Sequence, residues 1–265
     1  MQYADFSSLL IERQGTVLTV TLDRPGSLNA IDHSLHKALA EVFTLAASDD
    51  EAHVIVLTGA GTAFSAGGDF GLMQNIIDDP RQHDIEGSAL SRRLLLGILD
   101  CPKPIVARLN GDAVGLGATI ALFCDVIVAV DTARIGDPHV KVGLVAGDGG
   151  AIIWPHLIGH CRASEFLLLG TLLAAPEAAR IGLINHCVSA DELDGKVADI
   201  AERLSEGASL AIRWTKAALK APLKQAVTDY LDASLAHEGL TMRSADHQEA
   251  VAAFRERRRP VFSGR

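Results

Sequence analysis

The feature that most constrains this chain is a series of short, unbroken apolar runs, each closed by glycine or acidic residues. Val54-Ile-Val-Leu-Thr58 ends in Gly-Ala-Gly, and further runs cover residues 104–109 and 125–130. A strand with one face in water alternates apolar and polar side chains. One that does not alternate is covered on both faces, which is the habit of parallel sheets flanked by helices. Helical spacing lies between the runs: Leu35, Leu39, Val42, Phe43 and Ala46 predict a helix over 34–47, with Asp32 or Ser34 as its cap. Before it, Val17-Leu-Thr-Val-Thr-Leu22 reads as a strand running into the turn Asp23-Arg24-Pro25-Gly26. Strand and helix in alternation predict an α/β fold with a largely parallel sheet.

The pattern changes near residue 191. Beyond it only Ala-rich amphipathic segments follow, predicting helices over 191–205, 208–221, 223–237 and 245–258. This divides the chain into a core of residues 1–190 and a C-terminal helical region of residues 191–265. Residues 74–92, with Asp78-Asp79-Pro80-Arg81-Gln82-His83-Asp84, read as a long surface loop in which His83 is a candidate to face a substrate. Aromatics are only 5% of residues, so the core must be built from Ala, Val, Ile and Leu. No run reaches the ~18 apolar residues of a membrane span. The N-terminus lacks a basic segment followed by an apolar one, so no secretory signal is expected. Cys101, Cys124, Cys161 and Cys187 show no CxxC or metal spacing and read as free thiols of a cytoplasmic protein. The net charge of 24 − 33 = −9 argues against a nucleic-acid partner. Residues 207–265, with ten basic and six acidic side chains, are nonetheless net positive by four.

Most common catalytic motifs are missing: there is no GxSxG elbow, P-loop, HExxH or EF-hand loop. Gly115-Leu-Gly117 begins like a dinucleotide fingerprint but lacks its third glycine, so no redox nucleotide is expected. His156 and His160, with Cys161 beside them, have helical metal-ligand spacing. Pro155 and apolar neighbours favour a buried helix end there instead, and no metal is expected. Two glycine clusters carry the remaining signal: Ala63-Phe-Ser-Ala-Gly-Gly-Asp69 and Asn110-Gly-Asp-Ala-Val-Gly-Leu-Gly117, each between a strand and a helix. Taken alone they read more readily as two ordinary tight turns. Main-chain N–H groups at a helix start are unpaired and sit at the positive end of the helix dipole. Two such starts facing one point would stabilise an oxyanion.

At these residues the chain resembles the enoyl-CoA hydratase/isomerase, or crotonase, family. Leu22-Asp-Arg-Pro25 with Leu28-Asn-Ala30 is similar to its N-terminal signature, and Phe64-Ser-Ala-Gly-Gly-Asp69 to its first oxyanion segment. Asn110 through Gly117, followed by Ala121 to Asp125, resembles the second. Gly136-Asp-Pro138, Gly143-Leu144, Gly147-Asp-Gly-Gly150 and Phe254-Arg-Glu-Arg-Arg-Arg-Pro-Val-Phe262 resemble later stretches in order. The resemblance implies a spiral of β-β-α units with a C-terminal helical trimerisation region, hence a homotrimer or homohexamer. It also implies an acyl-CoA substrate, with coenzyme A as part of the substrate rather than a separate cofactor. The thioester oxygen would lie between the N–H groups of Gly68 and Leu116. Ala66, Asp69, Thr119, Arg24 and Phe262 are the candidate substrate-binding residues, with Asp69 also ordering its turn. Lys216, Lys220 and the 255–259 arginine run are candidates for the CoA phosphates.

The departures from that pattern set the chemistry. The two glutamates with which the family's hydratases add water fall here on Thr119 and His139. Asp148, in the glycine-rich 147–150 loop, stands where many hydratases carry alanine. Asp148 and His139 are therefore the candidate acid and base, with Glu238 as a further carboxylate. Some relatives place an aspartate at this point, among them chlorobenzoyl-CoA dehalogenases and oxocamphor hydrolase, a C–C bond hydrolase of β-diketones. The resemblance thus leaves two alternatives beside an acyl-CoA lyase or isomerase: a β-diketone hydrolase, and an idle scaffold that binds acyl-CoA without turnover.

Overall fold

The computed structural model describes residues 2–79 and 86–265. Six strands form the main sheet, in the spatial order β1 (Leu9–Gln14), β2 (Val17–Leu22), β3 (Val54–Gly59), β4 (Ile105–Leu109), β6 (Val126–Val130) and β9 (His186–Val188). β1 and β2 are an antiparallel hairpin with Gln14 opposite Val17. Its two-residue turn places Gly15 at φ +59°, where a side chain would be strained. Every later pairing is parallel. β3 is buried at all six positions, the outcome expected of its unbroken apolar run. A smaller sheet joins β5 (Ala113–Val114), β7 (Arg134–Gly136) and β8 (Leu172–Ala174).

Helices cover both sheets: α1 (His33–Ala47), α2 (Phe70–Asp78), α3 (Ser88–Asp100), α4 (Leu116–Phe123), α5 (Gly150–Leu169) and α6 (Ala175–Arg180). Asp32 caps α1, its carboxylate accepting the Leu35 N–H at 2.8 Å. The C-terminal region holds α7 (Leu193–Glu206), α8 (Ser209–Met242) and α9 (Ala245–Arg255). α7 lies on β3, β4 and β6, while α8 packs against α3 and α5. Leu223, Val227, Leu231 and Leu235 of α8 belong to the same buried cluster as the main sheet. Among the described residues no helix is long and apolar enough to cross a membrane.

The structure corrects three expectations. The two helices expected over 208–221 and 223–237 are one helix, α8, which runs through Pro222. Proline removes one helical hydrogen bond, but Pro222 faces outward, and buried Lys216 before it and the buried stripe from Leu223 to Leu235 after it hold the helix to the core. Much of the expected 74–92 loop is helical. α2 extends to Asp78 and α3 begins at Ser88, because Ile76, Leu90 and Ser91 have buried faces to cover. Only residues 80–85 of that stretch, His83 among them, lie outside the described residues. His156, His160 and Cys161 are not at a buried helix end. They are exposed around the kink at which non-helical Gly159 (φ +78°) divides α5 into two helical stretches.

The turn after β4 passes so close to the turn after β3 that Gly111 has no room for a side chain: a Cβ there would lie 2.0 Å from the Thr62 carbonyl oxygen. Gly111→Ala should destabilise the protein by about 3 kcal/mol, read as a lower urea midpoint. A midpoint equal to that of the wild type would show that the two turns are not locked together.

Candidate active site

The two glycine clusters meet side by side. Ser65 and Ala113 form a parallel bridge, with the Val114 N–H donating to the Ser65 carbonyl at 2.9 Å and the Ser65 N–H to the Asp112 carbonyl at 3.0 Å. The contact depends on missing side chains. A Cβ on Gly117 would lie 2.6 Å from Ser65 Cβ, and one on Gly67, at φ +86°, would lie 2.7 Å from the Val114 carbonyl oxygen. Gly115 (φ +54°) then turns the chain into α4, leaving the Leu116 N–H at the first position of the helix. Asp69 turns the other segment into α2, accepting the Gly71 and Leu72 N–H groups at 2.8 and 3.2 Å. Among the described residues neither the Gly68 nor the Leu116 N–H donates to an acceptor. Both residues line one cavity of about 470 Å³.

Ionisable groups line the same cavity: His139, Asp148 and Glu238. His139 opens a 3-10 turn, His139–Val142, directly after Asp137-Pro138. Its Nδ1 contacts Asp137 Oδ1, and its Nε2 lies 3.5 Å from Asp148 Oδ2. The imidazole is thus held between two buried carboxylates. Asp148 is also held by Thr119, whose hydroxyl donates to Oδ1 at 3.3 Å. The turn is fixed from behind by buried His247 of α9, whose Nδ1 meets the Val142 carbonyl at 2.7 Å. Glu238 enters from α8, and its Oε2 has no hydrogen-bond partner among the described residues. Gly147 makes room for it, since a Cβ there would lie 2.6 Å from Glu238 Cβ.

These surroundings decide the charges. Burial pulls the His139 imidazolium down, but Asp137 and Asp148, with Glu238 farther off, outweigh it and hold its pKa well above the usual histidine value. Burial raises Asp148 to about 6, and Asp137 adds to the rise. The His139 charge and hydrogen bonds from the Gly150 N–H and Thr119 oppose it. Burial, then repulsion from Asp148, lifts Glu238 well above the carboxylate range. The site therefore combines a cationic imidazole, a carboxylate that ionises near pH 6 and a carboxyl group that keeps its proton.

Asp137, His139 and Asp148 also bring three ligand-type atoms within 4.8 Å of one another. The imidazole turns one nitrogen to each carboxylate, so a metal would take it as a ligand only by displacing a proton from it.

Other candidates sit away from the cavity. Thr119, expected at the substrate, is fully buried behind Asp148. Arg24 spends its guanidinium on the Ala30 carbonyl, on Asp32 at 3.2 Å and on Asp69 at 3.5 Å, tying the first motif to the α2 cap. Ala66 is exposed, its N–H bound to the Leu28 carbonyl. Phe262 is half-exposed on the C-terminal tail and is not part of the cavity wall. Lys216 and Lys220 are both paired with Asp125, at 2.7 and 3.4 Å, and also bind main-chain carbonyls. Neither is available to a phosphate. Arg258 is paired with Glu249 and Glu256, whereas Arg255, Arg257 and Arg259 are exposed. Asp137 joins the site although no catalytic role is expected of it from the sequence. Its place two residues before His139, across a proline that stiffens the link, was the available signal.

A sequence profile of the enoyl-CoA hydratase/isomerase family matches residues 12–265. The chain belongs to this family. It is 33% identical to the short-chain-enoyl-CoA hydratase of Clostridium acetobutylicum, over 96% of this chain and 97% of that one. It is 32% identical to the 1,2-epoxyphenylacetyl-CoA isomerase of Escherichia coli, over 94% and 95%. The crystal structure of an enoyl-CoA hydratase/isomerase from Mycobacterium paratuberculosis superposes with a TM-score of 0.89 at 35% identity, covering 93% of this chain and 98% of that one. Similarity to both a hydratase and an isomerase leaves the reaction within the enoyl-CoA hydratase/isomerase family to be argued from the site.

Asp137→Asn should lower the His139 pKa, because it removes the carboxylate that most favours the imidazolium. An NMR titration of the His139 ring reads this directly, and an unmoved midpoint would show that Asp137 does not set the histidine's charge.

Proposed function

We propose that this protein is an acyl-CoA lyase or isomerase that holds a thioester enolate in an oxyanion hole formed by the Gly68 and Leu116 N–H groups. The observation that carries this reading is that two main-chain donors with no acceptor among the described residues belong to residues lining the same cavity as His139, Asp148 and Glu238. A thioester oxygen placed between the two donors gains charge as a neighbouring C–H loses its proton, and the fixed dipoles stabilise that charge. Asp148 is the base. Ionised above about pH 6 and backed by the His139 imidazolium, it accepts the proton or draws it from an attacking water. Glu238, held well above the carboxylate range by burial and with an Oε2 that meets no partner among the described residues, is suited to deliver a proton to the far carbon. Two carboxylates with environments that separate their acidities divide the acid and base roles, replacing the glutamates absent at Thr119 and His139. Thr119 and Asp137 position Asp148 and His139 rather than meeting substrate.

The reading uses no metal and no redox cofactor, coenzyme A arriving with the substrate. Free Cys101, Cys124, Cys161 and Cys187 fit the reducing cytoplasm. Exposed Leu210, Trp214, Leu219 and Tyr230 along α8, with Val261 on the tail, support assembly into a homotrimer or homohexamer. The buried Asp137–His139–Asp148 group would also serve hydrolysis of a β-diketone carbon–carbon bond. Thermal unfolding with coenzyme A separates the two, since protection by CoA is expected only of the acyl-CoA enzyme.

Incubation with enoyl-CoA esters in D₂O, followed by mass spectrometry, should show deuterium uptake. Asp148→Asn should slow it by about 100-fold or more, and His139→Ala should also suppress it. Undiminished uptake in both variants would overturn the assigned roles, and absence of uptake from every ester would favour an idle binding scaffold. The wild-type rate should rise with pH through about 6, as Asp148 loses its proton, and a profile flat through that range would remove Asp148 as the base.

A further inference from the structure

Helix α9 touches both halves of the site. It packs on the His139–Val142 turn and on α2, the helix that follows Gly68. His247, Ala250, Val251 and Phe254 stand at i, i+3, i+4 and i+7, so they share one face of α9. The outer two are two helical turns, or about 10 Å, apart. At one end the His247 Nδ1 donates to the Val142 carbonyl at 2.7 Å; a carbonyl only accepts, so this nitrogen carries a proton. Burial lowers the His247 pKa; the Val142 bond opposes that fall and the His139 charge adds to it. The buried ring is therefore a neutral donor. Ser244 Oγ accepts the His247 main-chain N–H at 3.1 Å. Gly143 (φ +69°) admits the helix, since a Cβ there would lie 2.9 Å from the His247 main-chain nitrogen. At the other end Phe254 stacks on Phe70, with ring centroids 3.7 Å apart and planes 3° from parallel. Phe70 is the first residue of α2, two positions after Gly68.

Resting on the reading of this cavity as an acyl-CoA site, we infer that α9 braces its two halves against each other, with His247 and Phe254 as positioning residues that fix the spacing between the Gly68 N–H and the His139 imidazole. Neither is among the residues lining the cavity, so each acts through another group. An enolate is stabilised only while its oxygen meets the main-chain donors and its carbon stays within reach of the acid and base. The donor and the imidazole sit on separate segments of chain, and α9 holds a contact to each. His247 sets the turn that carries the imidazole, and Phe254 sets the start of the helix behind the donor.

NMR reads the two halves separately, through the Gly68 amide signal and the titration of the His139 ring. His247→Leu should lower the His139 midpoint, as the turn relaxes away from Asp148, and should also move the Gly68 amide. Phe254→Ala should move the Gly68 amide and, across the brace, lower the His139 midpoint. Phe254 is 57% exposed, so its truncation spares the core and decides the matter if His247→Leu does not fold. His247→Asn, whose side-chain amide can present an N–H where Nδ1 stands, should restore both signals. With the enoyl-CoA ester that the wild type exchanges fastest in D₂O, His247→Leu and Phe254→Ala should each cut kcat about tenfold with KM little changed. The double variant should lose less than the product of the two effects. Signals that move only beside the substituted residue, or no recovery in His247→Asn, would overturn the brace while leaving the acyl-CoA reading intact. Crossed shifts in a protein that exchanges no ester would keep the brace and overturn that reading.

Discussion

Ser65 and Gly117 touch because the glycine leaves out the atom that would strike the serine. That contact lets two strand-to-helix turns, separated by nearly fifty residues of chain, lie side by side in one site. Each turn ends at a helix start, so each delivers a main-chain donor with the helix dipole behind it. Ser65 gathers the remaining bonds: its hydroxyl donates to the Asn29 carbonyl and accepts the Gly67 N–H. Asn29 in turn binds the Ala60 and Ala63 carbonyls. The signature around residues 28–30 is thereby part of the mount for the two glycine turns, although none of its polar side chains lines the cavity.

Charge is handled by a different principle. An unpaired ion buried in this fold would be costly. His139 avoids that cost by lying between Asp137 and Asp148, and Glu238 avoids it by retaining its proton. The glycines at 147 and 150 serve this arrangement sterically, since a side chain at either would run into Glu238 or Asp137. The third glycine of the loop, Gly149, is set by its backbone (φ +115°) and by Leu95 and Thr119 rather than by a carboxyl group.

What could be read from the amino-acid sequence follows from which interactions are local. The unbroken run of β3 and the amphipathic spacing of α1 are local patterns, and both elements lie where the pattern put them. The continuation of α8 through Pro222 was not legible, because a buried stripe spread along 34 residues outweighs one lost hydrogen bond. The helical ends of the 74–92 stretch were hidden for a similar reason: Ile76 and Ser91 face partners remote in sequence. Within the site, Asp148 and His139 stood out by departing from a family pattern. The burial that shifts their acidities is a property of packing and leaves no mark on the residues themselves. Lys216 and Lys220 looked like phosphate ligands by charge alone, and the salt bridges to Asp125 that consume them are long-range contacts.

Glu238 belongs to a helix that begins only at Ser209. During synthesis the two glycine turns, the His139 turn and Asp148 all leave the ribosome well before it. The sheet and its flanking helices can therefore be assembled while the cavity still lacks one wall. The last carboxyl group to arrive has an Oε2 that meets no hydrogen-bond partner among the described residues, so the cavity gains this group only when the final helices dock. A chain halted before that point would carry the two glycine turns, the imidazole and Asp148 but not the Glu238 carboxyl group.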